Sequence, residues 1–76
     1  MEFEALTLNN LGALYGTMEQ YHEAIEHLTK AIGIHKKIGE LNKDILANTL
    51  TNLAEAYFRI GKHDLAIQHW MEGLSI

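Results

Sequence analysis

Apolar residues recur every three or four positions along almost the whole chain, which is the spacing of one face of an α-helix. The pattern predicts four amphipathic helices, at about residues 2–17, 20–38, 43–60 and from 63 to the end. Their apolar stripes are, in chain order, Leu8, Leu11, Tyr15 and Met18; Ala24, Ile25, Leu28, Ala31, Ile32 and His35; Leu46, Leu50, Leu53, Ala54, Tyr57 and Ile60; and Ala66, Ile67, Trp70 and Leu74. These helices account for nearly every residue, so the sequence predicts an all-α fold.

The breaks between the helices coincide with residues that favour turns. Gly61 follows the third helix, where a residue in the left-handed conformation usually ends a helix. Glu19 stands at the same place after the first helix, so that turn must either differ or cost about 1 kcal/mol of left-handed strain. A longer break at residues 39–42 separates two helix pairs. Because short connections make consecutive helices antiparallel neighbours, we expect two tandem antiparallel helix hairpins.

The two halves of the chain repeat each other at an offset of 42 residues. Ten of the 34 positions aligned in this way are identical, far more than chance would produce. The identical pairs are Ala5/Ala47, Thr7/Thr49, Leu8/Leu50, Asn10/Asn52, Leu11/Leu53, Tyr15/Tyr57, Ala24/Ala66, Ile25/Ile67, His27/His69 and Ile34/Ile76. A fixed period of this length is the signature of a repeat architecture. We therefore expect one domain over residues 1–76, with the first repeat at about 5–38 and the second at about 47–76.

Small residues are expected where the two helices of each hairpin approach most closely. Gly12 should lie against Ala24 in the first hairpin, and Ala54 against Ala66 in the second. Larger side chains at these positions would push the helix axes beyond their usual separation of about 8–10 Å.

Residues 21–27, Tyr-His-Glu-Ala-Ile-Glu-His, resemble the HExxH motif of zinc proteases at first sight. The histidines of that motif lie four apart and so share one helical face. His22 and His27 lie five apart, which separates them by about 140° around a helix. We therefore expect packing rather than chemistry here, with no metal ion and no cofactor. The histidines are interpreted as exposed helix positions without a chemical role: His22, His27, His35, His63 and His69.

Composition narrows the classes of function. The net charge of −4 argues against nucleic acid as a partner, because phosphate binding needs basic clusters. The apolar content of 47% is too high for a disordered chain, and no apolar run reaches the roughly 18 residues that suggest a membrane span. With no cysteine and no signal-peptide pattern, cytoplasmic residence is the default expectation. Ser75 is the single serine and no Gly-rich phosphate loop is present, so we expect no enzyme.

The residues that the two halves share resemble the tetratricopeptide repeat. The resemblance rests on Leu11-Gly12-x-x-Tyr15, Tyr21-x-x-Ala24-Ile25 and Lys30-Ala31-Ile32, and on Leu53-Ala54-x-x-Tyr57, Gly61, Ala66-Ile67 and Trp70. It departs from the family pattern where Leu8 and Leu50 replace a common tryptophan, and where Lys36 replaces a closing proline. The period of 42 residues is also longer than the usual 34. In this length the chain is similar to the extended repeats of kinesin light chains, of spindle adaptors that bind G-protein subunits, and of bacterial peptide-sensing regulators.

The resemblance implies a protein-binding scaffold whose first helices line a concave groove. Asn10 and Asn52 are the most interesting of the expected groove residues, because a side-chain amide offers a donor and an acceptor to a peptide backbone. The alternative is that each asparagine bonds within its own repeat. Some family members clamp a C-terminal carboxylate, but Asn9 and Ala13 stand where their lysine and asparagine would be, so we do not expect that ligand. The residues expected to line the groove are Asn9, Asn10, Ala13, Gly16, Thr17, Thr51, Asn52, Glu55, Phe58 and Arg59.

The fourth helix carries apolar residues that nothing in the chain is expected to cover. The third helix should cover Leu28 and Ile32, but no following helix covers their counterparts Trp70 and Leu74. Because repeat proteins usually need about three units for stability, we expect either a segment of a longer protein or a chain that self-associates. The residues predicted for a self-association surface are Leu65, Trp70, Met71, Leu74 and Ile76.

Three functions remain open on these grounds. The primary hypothesis is a non-catalytic protein–protein interaction module that binds a peptide or protein partner in the groove. The alternative is a structural unit whose helices pack with other copies, or with neighbouring repeats of a longer protein. A third hypothesis is the sensor part of a peptide-responsive regulator.

Overall fold

The computed structural model describes residues 2–38 and 43–75, with side chains for residues 4–37 and 43–75. It contains four α-helices in this part of the chain, which are α1 (Glu2–Thr17), α2 (Tyr21–Ile38), α3 (Lys43–Arg59) and α4 (His63–Leu74). The predicted all-α fold is confirmed, and α2 begins and α3 ends one residue inside the expected bounds. The expected break at residues 39–42 lies outside the described residues. A membrane-crossing helix, which must be both long and apolar, is not found among the residues described.

The helices form two hairpins that pack side by side. α1 packs along α2 and α3 packs along α4, while α2 and, more narrowly, α1 also contact α3. The Cα atoms span 32 × 24 × 15 Å, and the shortest of these dimensions corresponds to about two layers of helix. α3 is therefore the helix that joins the hairpins.

The hydrophobic core lies between the two hairpins. Leu28 and Ile32 are 1% and 9% exposed, which confirms that α3 covers them. Full burial of a leucine or isoleucine side chain contributes roughly 1.5–3 kcal/mol, so this junction is a main source of stability. Its buried members are Ala24, Leu28 and Ile32 of α2 and Leu46, Leu50, Leu53 and Ala56 of α3.

Both hairpin turns close in the same way although their residues differ. Glu19 and Gly61 have φ angles of 62° and 87°, in the left-handed region. In the first turn the Gln20 N–H donates to the Tyr15 carbonyl at 2.9 Å, and the Glu19 N–H donates to the Gly16 carbonyl at 3.0 Å. The equivalent bonds 42 residues later measure 2.9 and 3.1 Å. This pair of bonds is the Schellman motif, so Glu19 carries the left-handed strain.

Helix α1 lies in close contact with α2 at Gly12. A Cβ atom at this position would lie 2.4 Å from Leu28 Cγ and 3.3 Å from the carbonyl oxygen of Ala24. Neither distance leaves room for a side chain. In the second hairpin Ala54 and Ala66 are both 0% exposed. Gly12 therefore lies against Ala24 as expected, and both alanines expected at the approach of the second hairpin are buried.

In each hairpin a tyrosine ring packs against a histidine ring in a tilted arrangement. The ring centroids of Tyr15 and His27 are 5.0 Å apart, and those of Tyr57 and His69 are 5.4 Å apart. In both histidines Nδ1 lies 2.8 Å from the carbonyl oxygen four residues earlier, so Nδ1–H can donate to the helix backbone. Both rings are half-buried, which corrects their interpretation as exposed positions and gives the repeated histidine a packing role.

Candidate functional site

A cavity of about 390 Å³ opens between the two hairpins. Its walls come from α1 and α3, and the turn after α1 with the start of α2 closes one end. The cavity therefore lies between the first helices of the two hairpins. Its lining residues are Gly12, Ala13, Gly16, Thr17, Glu19, Tyr21, Ala24, Asn52, Glu55, Ala56 and Arg59.

The depth of the cavity comes from small residues on its walls. Gly12 is in close contact with α2. Gly16, one turn later, is different, since a Cβ atom there would meet no heavy atom within 4 Å. The space directly above Gly16 is thus open to a Cβ atom.

Three charged side chains stand around the cavity, namely Glu19, Glu55 and Arg59. Nη2 of Arg59 lies 3.3 Å from Oε2 of Glu55, and both side chains are more than half exposed. An exposed ion pair of this kind contributes about 1 kcal/mol or less, so either partner can exchange it for a ligand at little cost.

Asn52 joins the two hairpins beside the cavity. Its Nδ2 donates to Oδ1 of Asn9 in α1 at 3.2 Å and to Oδ1 of Asn48 in α3 at 2.9 Å. Because a side-chain amide has two N–H groups, both are occupied, and Asn52 offers a ligand its Oδ1 acceptor alone. The Asn52 amide N–H groups, which were expected from the sequence to bind a peptide, donate instead to side chains of α1 and α3.

Four of the expected groove residues do not line the cavity. Asn9 is 6% exposed and accepts the hydrogen bond from Asn52. Asn10 is exposed and does not line the cavity. Thr51 donates its hydroxyl to its own helix, while Phe58 packs on the aromatic rings of α4. Thr51 and Asn52 point in directions about 100° apart around α3, and of the two it is Asn52 that lines the cavity.

The described residues bring no three potential metal ligands together. His35 is 2% exposed, which agrees with its place on the apolar stripe of the second helix and corrects its interpretation as an exposed position. His63 stacks on Phe58, with ring centroids 4.9 Å apart, and His22 is exposed. The histidines therefore lie in separate surroundings and form no common site.

The residues predicted for self-association have different surroundings. Leu65, Met71 and Leu74 are 37%, 64% and 87% exposed. Trp70 is half-buried, and Ile76 lies outside the described residues.

The contact between Phe58 of α3 and Trp70 of α4 reduces the apolar surface that α4 exposes. The ring of Phe58 lies 5.9 Å from that of Trp70, so α3 itself shields the tryptophan in part. Sequence reasoning assigned Phe58 to the groove. The 42-residue alignment could have indicated the error, because it pairs Phe58 with Gly16. A large aromatic ring at the position of a glycine needs a packing partner that the glycine does not need.

A family model described as tetratricopeptide repeat matches residues 3–76 of the chain. Comparison with curated proteins and with solved structures gave no match. The matched range includes both hairpins and both walls of the cavity.

Proposed function

Because the chain belongs to the tetratricopeptide repeat family, we propose that it is a non-catalytic module that binds a peptide or protein partner in the cavity between its hairpins. The family is one of protein–protein interaction modules, which supports the class of function. The open cavity above Gly16 is the observation that carries the site. The 42-residue period further supports a relation to the extended repeats of kinesin light chains and similar adaptors.

The polar groups of the cavity favour a ligand that supplies N–H donors. Oδ1 of Asn52 can accept a hydrogen bond. The Thr17 hydroxyl donates to the Ala13 carbonyl at 3.1 Å, which leaves its oxygen as an acceptor. An extended peptide segment provides backbone N–H groups, and the small residues let such a backbone approach closely.

The test of this site is the variant Gly16→Leu. Its side chain would project into the open space without a clash at Cβ, so the cavity is filled while the helix is kept. A peptide selected from a randomised display library on the natural chain serves as the probe, with affinity measured by fluorescence anisotropy. We expect Gly16→Leu to weaken binding at least tenfold, which is about 1.4 kcal/mol.

Gly33→Leu provides the matched control. Gly33 is an exposed glycine inside α2, has no heavy atom within 4 Å of a Cβ atom and does not line the cavity. Both variants replace a helical glycine by leucine; Gly33 lies in the interior of α2 and Gly16 in the last turn of α1, so the gain in helix propensity is at most about 1 kcal/mol in each. Equal peptide affinity in Gly16→Leu and Gly33→Leu, with circular dichroism showing full helicity, would rule out the cavity as the binding site.

Self-assembly is the second candidate function, and the apolar surface of α4 favours it. Met71 and Leu74 are mostly exposed, and apolar patches of this kind mark interaction surfaces. In this role the chain would be a structural unit, with α4 packed against another copy. Its mass in solution would then be unaffected by Gly16→Leu, because that residue lies in the cavity and not on α4.

A further inference from the structure

We propose that the α4 surface of one copy binds the α1 surface of a second copy, so that the chains associate head to tail. This inference rests on the self-association proposed above and adds the identity of the second surface. It does not depend on the peptide cavity. The 42-residue repeat carries it, because each position in one hairpin has an equivalent in the other whose surroundings can be compared directly.

The first comparison shows what a following hairpin covers. Ile32 of α2 is 9% exposed beneath α3, whereas its equivalent Leu74 is 87% exposed. Ile25 is half-buried, whereas its equivalent Ile67 is 53% exposed. These differences define a tail face on α4, made of Ile67, Trp70 and Leu74.

The second comparison shows what a preceding hairpin covers. Leu53 of α3 is 2% exposed, whereas its equivalent Leu11 is 38% exposed. Ala56 is 3% exposed, whereas its equivalent Leu14 is 53% exposed. These differences define a head face on α1, made of Leu8, Leu11 and Leu14.

The junction inside the chain shows that a head face and a tail face fit together. The equivalents of the two faces meet in one buried cluster between α2 and α3. A second copy placed by the same offset would set its head face on the free tail face of the first. The equivalents of the tail face are Ile25, Leu28 and Ile32, and those of the head face are Leu50, Leu53 and Ala56.

A symmetric contact of α4 with α4 is the competing arrangement. In that arrangement the tail faces of the two copies cover each other, and Leu11 and Leu14 of both copies stay in water. The head-to-tail contact covers both apolar faces. A heterologous contact forms a ring or an open filament according to its rotation, and stacking at the repeat offset continues as an open superhelix. We therefore expect assemblies that grow with concentration rather than a fixed dimer.

The contact between copies would differ from the one inside the chain in one respect. Phe58 stands in α3 where Gly16 stands in α1, and Gly16 is the open position of the cavity. A phenylalanine ring at the equivalent position occupies that space. The peptide cavity thus belongs to the inside of each copy and is not repeated between copies.

The experiment uses two variants that each disable one face. The head variant is Leu11→Lys with Leu14→Lys, and the tail variant is Ile67→Lys with Leu74→Lys. All four residues are exposed, and adding the same charge to both faces avoids a new attraction between the variants. Sedimentation equilibrium from micromolar to millimolar concentration gives the mass, and circular dichroism checks that each variant keeps its helices.

We expect the natural chain to form growing assemblies and each variant alone to be monomeric. An equimolar mixture of the two variants should form a one-to-one dimer that grows no further, since each partner supplies the intact face that the other lacks. Should the head variant lose helicity, Leu14→Lys alone replaces it.

The head face and self-association itself can be ruled out separately. A head variant that assembles as the natural chain does, or a mixture that stays monomeric, removes the head face and leaves self-association through α4. A natural chain that is monomeric throughout the range removes self-association altogether. Neither result bears on peptide binding in the cavity, which Gly16→Leu tests.

Discussion

Glu19 has a left-handed backbone conformation, which is strained for a residue with a Cβ atom. It adopts the left-handed conformation that Gly61 adopts in the other hairpin, with the same two capping hydrogen bonds. The conformation costs a residue with a Cβ atom roughly 1–2 kcal/mol. The first hairpin is therefore held in shape by its packing and not by a favourable turn residue.

Substitution of Glu19 by glycine should stabilise the protein. The relief of strain exceeds the additional backbone entropy that glycine loses on folding, which is roughly 0.5–1 kcal/mol. We expect Glu19→Gly to raise the free energy of unfolding by about 0.5–1 kcal/mol, measured by urea denaturation at one fixed protein concentration. Gly61→Ala is the reverse substitution and should lower it by about 1 kcal/mol. A loss of stability in Glu19→Gly would show that its side chain, and not its backbone, governs the turn.

The asparagines show where residue-scale prediction from sequence reaches its limit. Asn10 and Asn52 are the same residue at equivalent positions of the two repeats. Asn52 bonds to Asn9 because a hairpin precedes it, whereas Asn10 is exposed. The 42-residue alignment predicts that the two are related, but the partner of each side chain depends on tertiary neighbours that no local pattern contains.

At the scale of helices, the pattern of apolar positions predicts the helices of the structure closely. Helix bounds were predicted to within one residue for α1, α2 and α3 because apolar periodicity and the turn after each helix agree. Gln20 directly precedes α2 as its cap: its carbonyl accepts from the Ala24 N–H, while its own N–H donates to the Tyr15 carbonyl and caps α1. The direction of Phe58 was not predicted. Its ring contacts those of His63 and Trp70 in α4, and such tertiary contacts are not visible in the helical periodicity.

The approach of α1 to α2 gives a prediction at this scale. Gly12→Ala places a methyl group against Leu28, and overpacking of this kind costs about 1–3 kcal/mol. Leu28→Ala alone should cost about 2–5 kcal/mol because it leaves a cavity. The double variant should cost less than the sum, since the new methyl group fills part of the space that the leucine leaves. Urea denaturation of the four proteins measures the coupling.

Gly33→Ala is the control for that cycle. It makes the same substitution inside α2, where a Cβ atom meets nothing within 4 Å, and should be neutral or stabilising by up to about 1 kcal/mol. Strict additivity of Gly12→Ala and Leu28→Ala would mean that the two positions do not share the contact described here.

At the scale of the whole molecule, a comparison of Leu11 with Leu53 distinguishes the stability that comes from the helix itself from the stability that comes from packing between hairpins. They are the same residue at equivalent helix positions, yet they are 38% and 2% exposed. In dilute solution we expect Leu53→Ala to cost about 2–5 kcal/mol and Leu11→Ala to cost clearly less. At high concentration the cost of Leu11→Ala should rise, because self-association stabilises the folded state by mass action and the head face takes part in it. Thermal unfolding at several concentrations measures both effects.

Equal costs for the two substitutions in dilute solution would contradict the arrangement of the hairpins. They would mean that the second hairpin gains nothing from lying against the first. A cost of Leu11→Ala that does not change with concentration would count against the head face in particular.

The thinness of the molecule limits how it can recognise a partner. The Cα atoms span only 15 Å in the shortest direction, and every Asp, Glu, Lys and Arg side chain in the described part is exposed or half-buried. The ion pairs Glu26–Lys30, Lys36–Glu72 and Glu55–Arg59 therefore act in a high effective dielectric constant, where each contributes about 1 kcal/mol or less. Charge in this protein can speed or slow the approach of a partner in a salt-dependent way. For the peptide complex proposed above, we therefore expect the lifetime to depend on the fit of the cavity and on hydrogen bonds that exclude water.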